Sequence, residues 1–166
     1  MAKTHLDQLV DYPAKILQKI SADKTCVGLL LNKKLEAVTE DDFDIALDEH
    51  LFDYEYVDDT VKETSAYIWV EADVPNVDNF SVKNMRIFVT IACHKKFMKL
   101  NAKEFLGIAG NRRDNLVRYV DKLLNGGEFL GIGKLSLESV HTVTTAAGFT
   151  AREISYVIPD FNLAKI

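Results

Sequence analysis

Hydrophobic and polar positions recur along this chain at two periods, and the changes between them divide it into elements. Near the start, Leu6, Leu9, Val10, Pro13, Ile16, Leu17 and Ile20 recur at helical spacing, so the chain opens with a helix. Pro13 is expected to kink or divide it, because its ring clashes with the preceding turn. Asp23 is placed to cap a second short helix through Leu29, Leu30 and Leu31. An acidic stretch follows, carrying Phe43, Ile45, Leu47, Leu51 and Phe52. Those apolar residues are too frequent for a disordered tail. The stretch is expected to be an ordered surface loop with apolar anchors and room for one helical turn. Tyr54–Val57 is expected to begin a strand.

The period then falls to two. Ala66, Ile68, Val70, Ala72 and Val74 face one way, and Tyr67, Trp69, Glu71 and Asp73 the other. Pro75-Asn76 reads as a turn. Asn84–Phe97 reads as a long strand, with Met85, Ile87, Val89, Ile91 and Cys93 on one side. Two long strands joined by a loop predict an antiparallel pair. Lys99–Ile108 is either a short helix or irregular.

The last third reads helix, glycine break, strand, loop, strand. Asn111 caps the helix, with Asp114 three residues on. Leu116, Val120, Leu123 and Leu124 form its apolar face, and Gly126-Gly127 stops it. Leu135–Ser139 alternates, and so does Arg152–Ile158, until Pro159 ends the strand. Phe149–Asn162 is expected to be an edge strand, whose free amides and carbonyls would suit strand addition between subunits. The elements sum to an α+β fold. A four- to five-stranded, mainly antiparallel sheet has helices packed on one face. One domain spans residues 1–166: a helical and acidic segment over 1–60, then sheet and C-terminal helix over 61–166.

Composition narrows the picture. The 166 residues suffice for one real core, and 48% are apolar and 27% charged, as in an ordinary globular protein. No apolar run is long enough for a membrane span, and no signal peptide is evident after Met1. Cys26 and Cys93 suit buried thiols in a reducing cytoplasm, with a disulfide as the alternative. The net charge of −5 is unevenly spread. Glu36–Asp59 holds eleven acids and no Lys or Arg, whereas Lys83–Lys122 holds ten bases against three acids. Such a split suits either opposite faces of a self-associating ring or two solvated surfaces. Duplex binding is not supported, because the net charge is negative and no helix carries a dense basic stripe.

Chemical motifs are not found. A phosphate loop needs Gly, four residues, then Gly-Lys-Ser/Thr. Here Glu128 stands at the first position and Leu135 at the last, and the segment follows a helix instead of opening one. His5, His50, His94 and His141 lack metal-ligand spacing among themselves or with the cysteines. Cys93 and His94 are adjacent strand residues and point to opposite faces. Asp41-Asp42-Phe43-Asp44 lacks the glycine and closing Glu of a calcium loop. No catalytic residue, cofactor or metal is assigned, and an enzyme is not expected.

Two features suggest surfaces. Tyr67 and Trp69 lie on the strand face opposite the aliphatic one, which either packs within the chain or meets another subunit. Arg112 and Arg113 fall in the first turn of a helix, where positive charge opposes the helix dipole, so either a partner offsets them or they are simply solvated. The candidate oligomer or partner interface is therefore Arg112, Arg113, Arg118, Tyr67 and Trp69, with Asp41, Asp42 and Asp44 on the acidic side.

The order of segments resembles a known group. The residues that carry the likeness begin with Phe52-x-Tyr54-x-x-Val57-x-Asp59-Thr60 and Thr64-x-x-Tyr67-Ile68. Met85-Arg86-Ile87-Phe88-Val89-x-Ile91-x-Cys93-His94-Lys95 follows, then Arg113-x-Asn115-x-x-Arg118-Tyr119-Val120-Asp121-x-Leu123-Leu124-Asn125-Gly126. Gly131-Ile132-Gly133-x-Leu135 and Tyr156-Val157-Ile158-Pro159-Asp160-Phe161-Asn162 complete it. Across residues 50–162 these resemble the neck and tail-completion proteins of bacteriophages and prophages of Gram-positive bacteria, and among them the tail terminators. The resemblance is one of apolar positions and turns, without a diagnostic signature, and the first fifty residues match less well.

The resemblance implies a mechanical role. Tail terminators form hexameric rings at the head-proximal end of the tail, stop growth of tube and sheath, and dock the tail to the head connector. The implied partners are further copies of the chain, the tail tube and sheath proteins and the head connector or stopper. DNA would pass through the lumen without specific binding, and the acidic stretch is a candidate either for its wall or for a face that meets a basic patch on a neighbour. The implied location is the virion neck, after assembly in the bacterial host cytoplasm, with no membrane involved. The alternatives are a head-completion or connector protein of the same neck and a cellular binding module unrelated to phage.

Overall fold

The computed structural model of the chain describes residues 7–74, 77–78, 81–82, 85–131, 133–158 and 161–162. Leu6, the Pro75-Asn76 turn, Asn84 and Pro159 lie outside the described residues. Helix α1 (Asp7–Ser21) buries Tyr12, Ile16, Leu17 and Ile20, and it runs through Pro13 without being divided. Val10 does not join that face and is 65% exposed. Helix α2 (Lys24–Leu31) is capped as expected, Asp23 accepting from the Cys26 amide at 2.8 Å.

The acidic stretch is not a loop. Helix α3 (Glu40–Glu49) occupies it, opened by a capping box in which the Thr39 and Asp42 side chains each accept from the other's backbone. Ala46 is buried, and Phe43 and Leu47 pack against the core, the three-and-four spacing of a helix face. The acids of the first turn, Glu40, Asp41 and Asp42, favour the helix dipole there. A short 3-10 turn (Leu35–Ala37) precedes it.

Strand β1 (Leu51–Phe52) follows directly and runs parallel to β2 (Ala66–Asp73), with Leu51 opposite Ile68. The strand expected at Tyr54–Val57 is absent, because residues 53–61 leave the sheet edge and fold across its second face. After the short strands β3 (Val77–Asp78) and β4 (Ser81–Val82) comes β5 (Met85–His94), antiparallel to β2 as expected, with Ile68 opposite Ile91 and Val70 opposite Val89. Residues 98–110 are irregular. Helix α4 (Arg112–Leu124) begins at the predicted Asn111 cap. It ends at Gly126, whose φ of 75° suits glycine and whose amide donates to the Leu135 carbonyl at 2.7 Å. Strands β6 (Ser136–Val143), β7 (Phe149–Ile158) and β8 (Phe161–Asn162) are the last elements among the described residues.

The main sheet is five-stranded and mixed, in the order β1-β2-β5-β7-β6, and β3, β4 and β8 form a small antiparallel sheet. Strand β7 is therefore interior, paired with β5 and β6. The edges are β1 and β6, which corrects the expectation for Phe149–Asn162. Helices cover one face, where Ile68, Val70, Ile87, Val89, Ile91, Ile154 and Tyr156 meet Leu116, Val120 and Leu124. The opposite face carries a smaller cluster of Val57, Val61, Tyr67, Trp69, Ala92, Phe149 and Ala151. The fold is α+β, as the periodicities predict.

Candidate functional site

Most of the expected interface residues are used inside the chain. The Arg112 side chain is 1% exposed. Its Nε donates to the Phe97 carbonyl at 2.8 Å, Nη1 to the Leu29 carbonyl and Nη2 to Asn32 Oδ1 at 2.6 Å. Burial pushes its pKa down to about 10. Arg113 donates to Asp114 and to Thr150 Oγ1. Asp114 in turn accepts from Asn111 Nδ2 and Arg152 Nε, each at 2.8 Å. The cost of two bases in a first helical turn is thus offset within the chain by carbonyls and by Asp114, and no second subunit is needed. This corrects the expectation for Arg112 and Arg113.

Tyr67 and Trp69 are each 4% exposed, covered by the segment that carries Val57 and Val61. Both pack within the chain, and of the two only Tyr67 reaches a surface, at the floor of a cleft. Asp42 is 2% exposed and forms an ion pair with Lys33 at 2.7 Å while accepting from the Thr39 amide at 2.8 Å. It too leaves the candidate surface. Asp41 and Asp44 are exposed on α3, and Arg118 is exposed on α4. Both cysteines are free and buried, and burial pushes the Cys93 thiol up to about 12. Among the described residues, no group of three or more His, Cys, Asp or Glu could hold a metal ion. Within the same residues, no helix is long and apolar enough to cross a membrane.

An open cleft, which no periodicity announces, lies where α3 ends and β1 and β2 begin. Phe52 and Tyr56 stack at 3.8 Å between centroids, and Tyr56 meets Tyr67 at 4.9 Å. Asp48, Glu49 and Glu63 stand exposed at its rim. His50 stacks on Tyr67 at 5.7 Å, with its Nδ1 2.9 Å from the Ala66 carbonyl. The Tyr67 hydroxyl is pushed up to about 12 by burial, with Glu63 and Tyr56 adding to the shift. The aromatic alternation Phe52-x-Tyr54-x-Tyr56 was the available signal, but nothing local says that it folds back beside Tyr67.

A second surface is the outer edge of β6. Among its residues only Ser139 and Val143 are even half-buried, and Leu137 and Val140 are 41% and 37% exposed. The strand has one irregularity, between Leu137 and Ser139, where Glu138 turns to take a bidentate ion pair from Arg86 at 2.9 Å.

No curated protein matches the chain. The family model YomW matches residues 23–158, from the cap of α2 to the end of β7. YomW is a family of Bacillus prophage regions, which is consistent with a phage protein. Because that match takes in most of the chain and nearly every element described above, the chain belongs to the YomW family.

Proposed function

We propose that the chain is a structural virion protein of the phage neck: a tail terminator that assembles into a homohexameric ring at the head-proximal end of the tail. There it ends growth of the tube and any sheath and joins the tail to the head connector. In this reading the protein performs no chemistry and needs no cofactor. Its partners are its own copies, the tube or sheath protein and the connector, and DNA crosses the ring without specific contacts. The protein is assembled in the bacterial cytoplasm and ends in the virion.

The observation that carries the proposal, beside membership of a prophage family, is the free edge of β6. It presents eight residues with no Lys, Arg or Pro to blunt pairing, and it exposes Leu137 and Val140. Such an edge favours strand addition by a neighbouring subunit. The direct test is deletion of the gene from an inducible prophage, followed by negative-stain imaging of the particles. The expected result is tails of uncontrolled length and heads without tails. Normal particles in normal number would overturn the proposal.

A further inference from the structure

Two exposed patches on this chain carry opposite charge, and each is built around aromatic rings. The first is the cleft of about 470 Å³ at the end of α3, with Phe52, Tyr56 and Tyr67 as its wall and Asp48, Glu49 and Glu63 at its rim. Among the described residues none of these three carboxylates forms an ion pair. The second is the outward face of α4. Arg118 and Lys122 are exposed there one turn apart, and both lean on Tyr119, with their charged ends 4.9 and 5.0 Å from the ring centre.

We infer that these patches are the two halves of one contact between copies of this chain: Arg118 and Lys122 of one copy enter the acidic, aromatic cleft of the next. The inference rests on the reading that the chain assembles with itself. Charge complementarity selects the occupant. A cation entering the cleft meets both carboxylates and ring faces, and a guanidinium or ammonium is the group that gains from both. The geometry also sets the kind of contact. The cleft belongs to α3, β1 and β2, whereas α4 packs over β5 and β7, so the patches do not overlap. A contact between different patches is heterologous and can repeat around a closed ring, which an isologous pair cannot do.

Charge exchange tests this. One variant carries Asp48→Lys and Glu63→Lys, another carries Arg118→Glu and Lys122→Glu, and a third carries all four. A neutral variant, Asp48→Asn with Glu63→Gln, removes the rim charge without reversing it. All the changed residues are exposed, and circular dichroism checks each fold. Self-association is read by sedimentation velocity across protein and salt concentration. Each one-sided reversal should weaken association by about tenfold or more, and the four-fold variant should recover most of that loss. The neutral variant should fall between wild type and the reversals. Wild-type association should weaken as salt rises. One-sided variants that assemble like wild type would overturn the inference while leaving the neck reading intact. A four-fold variant as weak as its parents would overturn it too. A wild-type monomer at every concentration would overturn both.

Discussion

The guanidinium carbon of Arg112 sits 3.8 Å from the centre of the Phe97 ring, and the backbone carbonyl of the same Phe97 accepts from Arg112 Nε. One side chain thus ties the loop after β5 to the C-terminal end of α2, through Leu29 and Asn32. Among the described residues no carboxylate shares the site; carbonyls, one amide and two rings (Phe97 and Phe105) carry the charge. Arg112→Ala should cost about 3–5 kcal/mol, because it strands buried acceptors and opens a cavity. Arg112→Lys should recover only part, since an ammonium cannot fork to three acceptors in one plane. Urea unfolding of both variants measures this. A loss below about 0.5 kcal/mol for the alanine would show that the network holds nothing.

Gly28 lies inside α2, where propensity alone would favour alanine by about 1 kcal/mol. Packing reverses the sign. A Cβ at position 28 would fall 2.7 Å from the Lys33 carbonyl oxygen, a backbone atom held by the turn at Asn32, whose φ is 56°. The Lys33 amide also donates to the Gly28 carbonyl at 2.8 Å, so the turn cannot retreat without loss. Gly28→Ala should therefore destabilise, by roughly 1–3 kcal/mol as for other overpacked sites. A raised melting temperature would mean that the turn gives way freely.

Acid should unfold the protein through three carboxyls. Hydrogen bonds from Arg86 and Ser155 hold Glu138 down at about 2. The hydrogen bond from Lys33, then that from the Thr39 amide, lowers Asp42. Burial alone would raise Asp114, but Asn111, Arg113 and Arg152 outweigh it, and it too sits low. A depressed carboxyl contributes fully above its unfolded pKa of about 4 and loses that contribution as pH falls through the folded value. Glu71 runs the other way, raised by burial and by Glu55 and Glu153, so its protonation comes first and stabilises. Melting temperature should hold or rise slightly from pH 7 to about 4.5, then fall steadily toward pH 2. Glu138→Gln should shallow that fall, and identical profiles for variant and wild type would remove Glu138 from the account.

Val140 separates edge pairing from folding. It is 37% exposed on β6, so Val140→Lys should change stability by no more than about 0.5 kcal/mol. An edge lysine opposes strand addition, so self-association should weaken while the melting temperature stays put. Unchanged association in sedimentation experiments would show that β6 is not where copies meet.

The periodic elements were legible in the sequence, and the long-range ones were not. Asn111 with its apolar face marked α4, and the alternations around Ile68 and Val89 marked β2 and β5, because each signal is complete within a few residues. Helix α3 was hidden because its capping box uses Asp42 in place of the usual Glu or Gln, and because its acids mask the Phe43, Ala46, Leu47 face. The partners of Arg112 lie 15, 80 and 83 residues away, so a buried arginine looked like a surface one. The edge was misplaced because β7 alternates more strongly than β6, although it is the weaker alternation that is left uncovered. The cleft depends on residues 48–67 closing on themselves around Tyr67, and no local pattern announces that closure.

The place of β7 sets a timetable for synthesis. It is inserted between β5 and β6, both of which leave the ribosome before it. Until residues 149–158 emerge, ten backbone partners on β5 wait unpaired and β6 has no sheet to join. A nascent chain halted after β6 therefore exposes the long edge of β5 and an unpaired β6, which the finished fold joins through β7. The helices and the β2–β5 pair can form early, but the sheet closes only once β7 has emerged. Truncation or stalling just short of β7 should give aggregates, and not a smaller soluble fold.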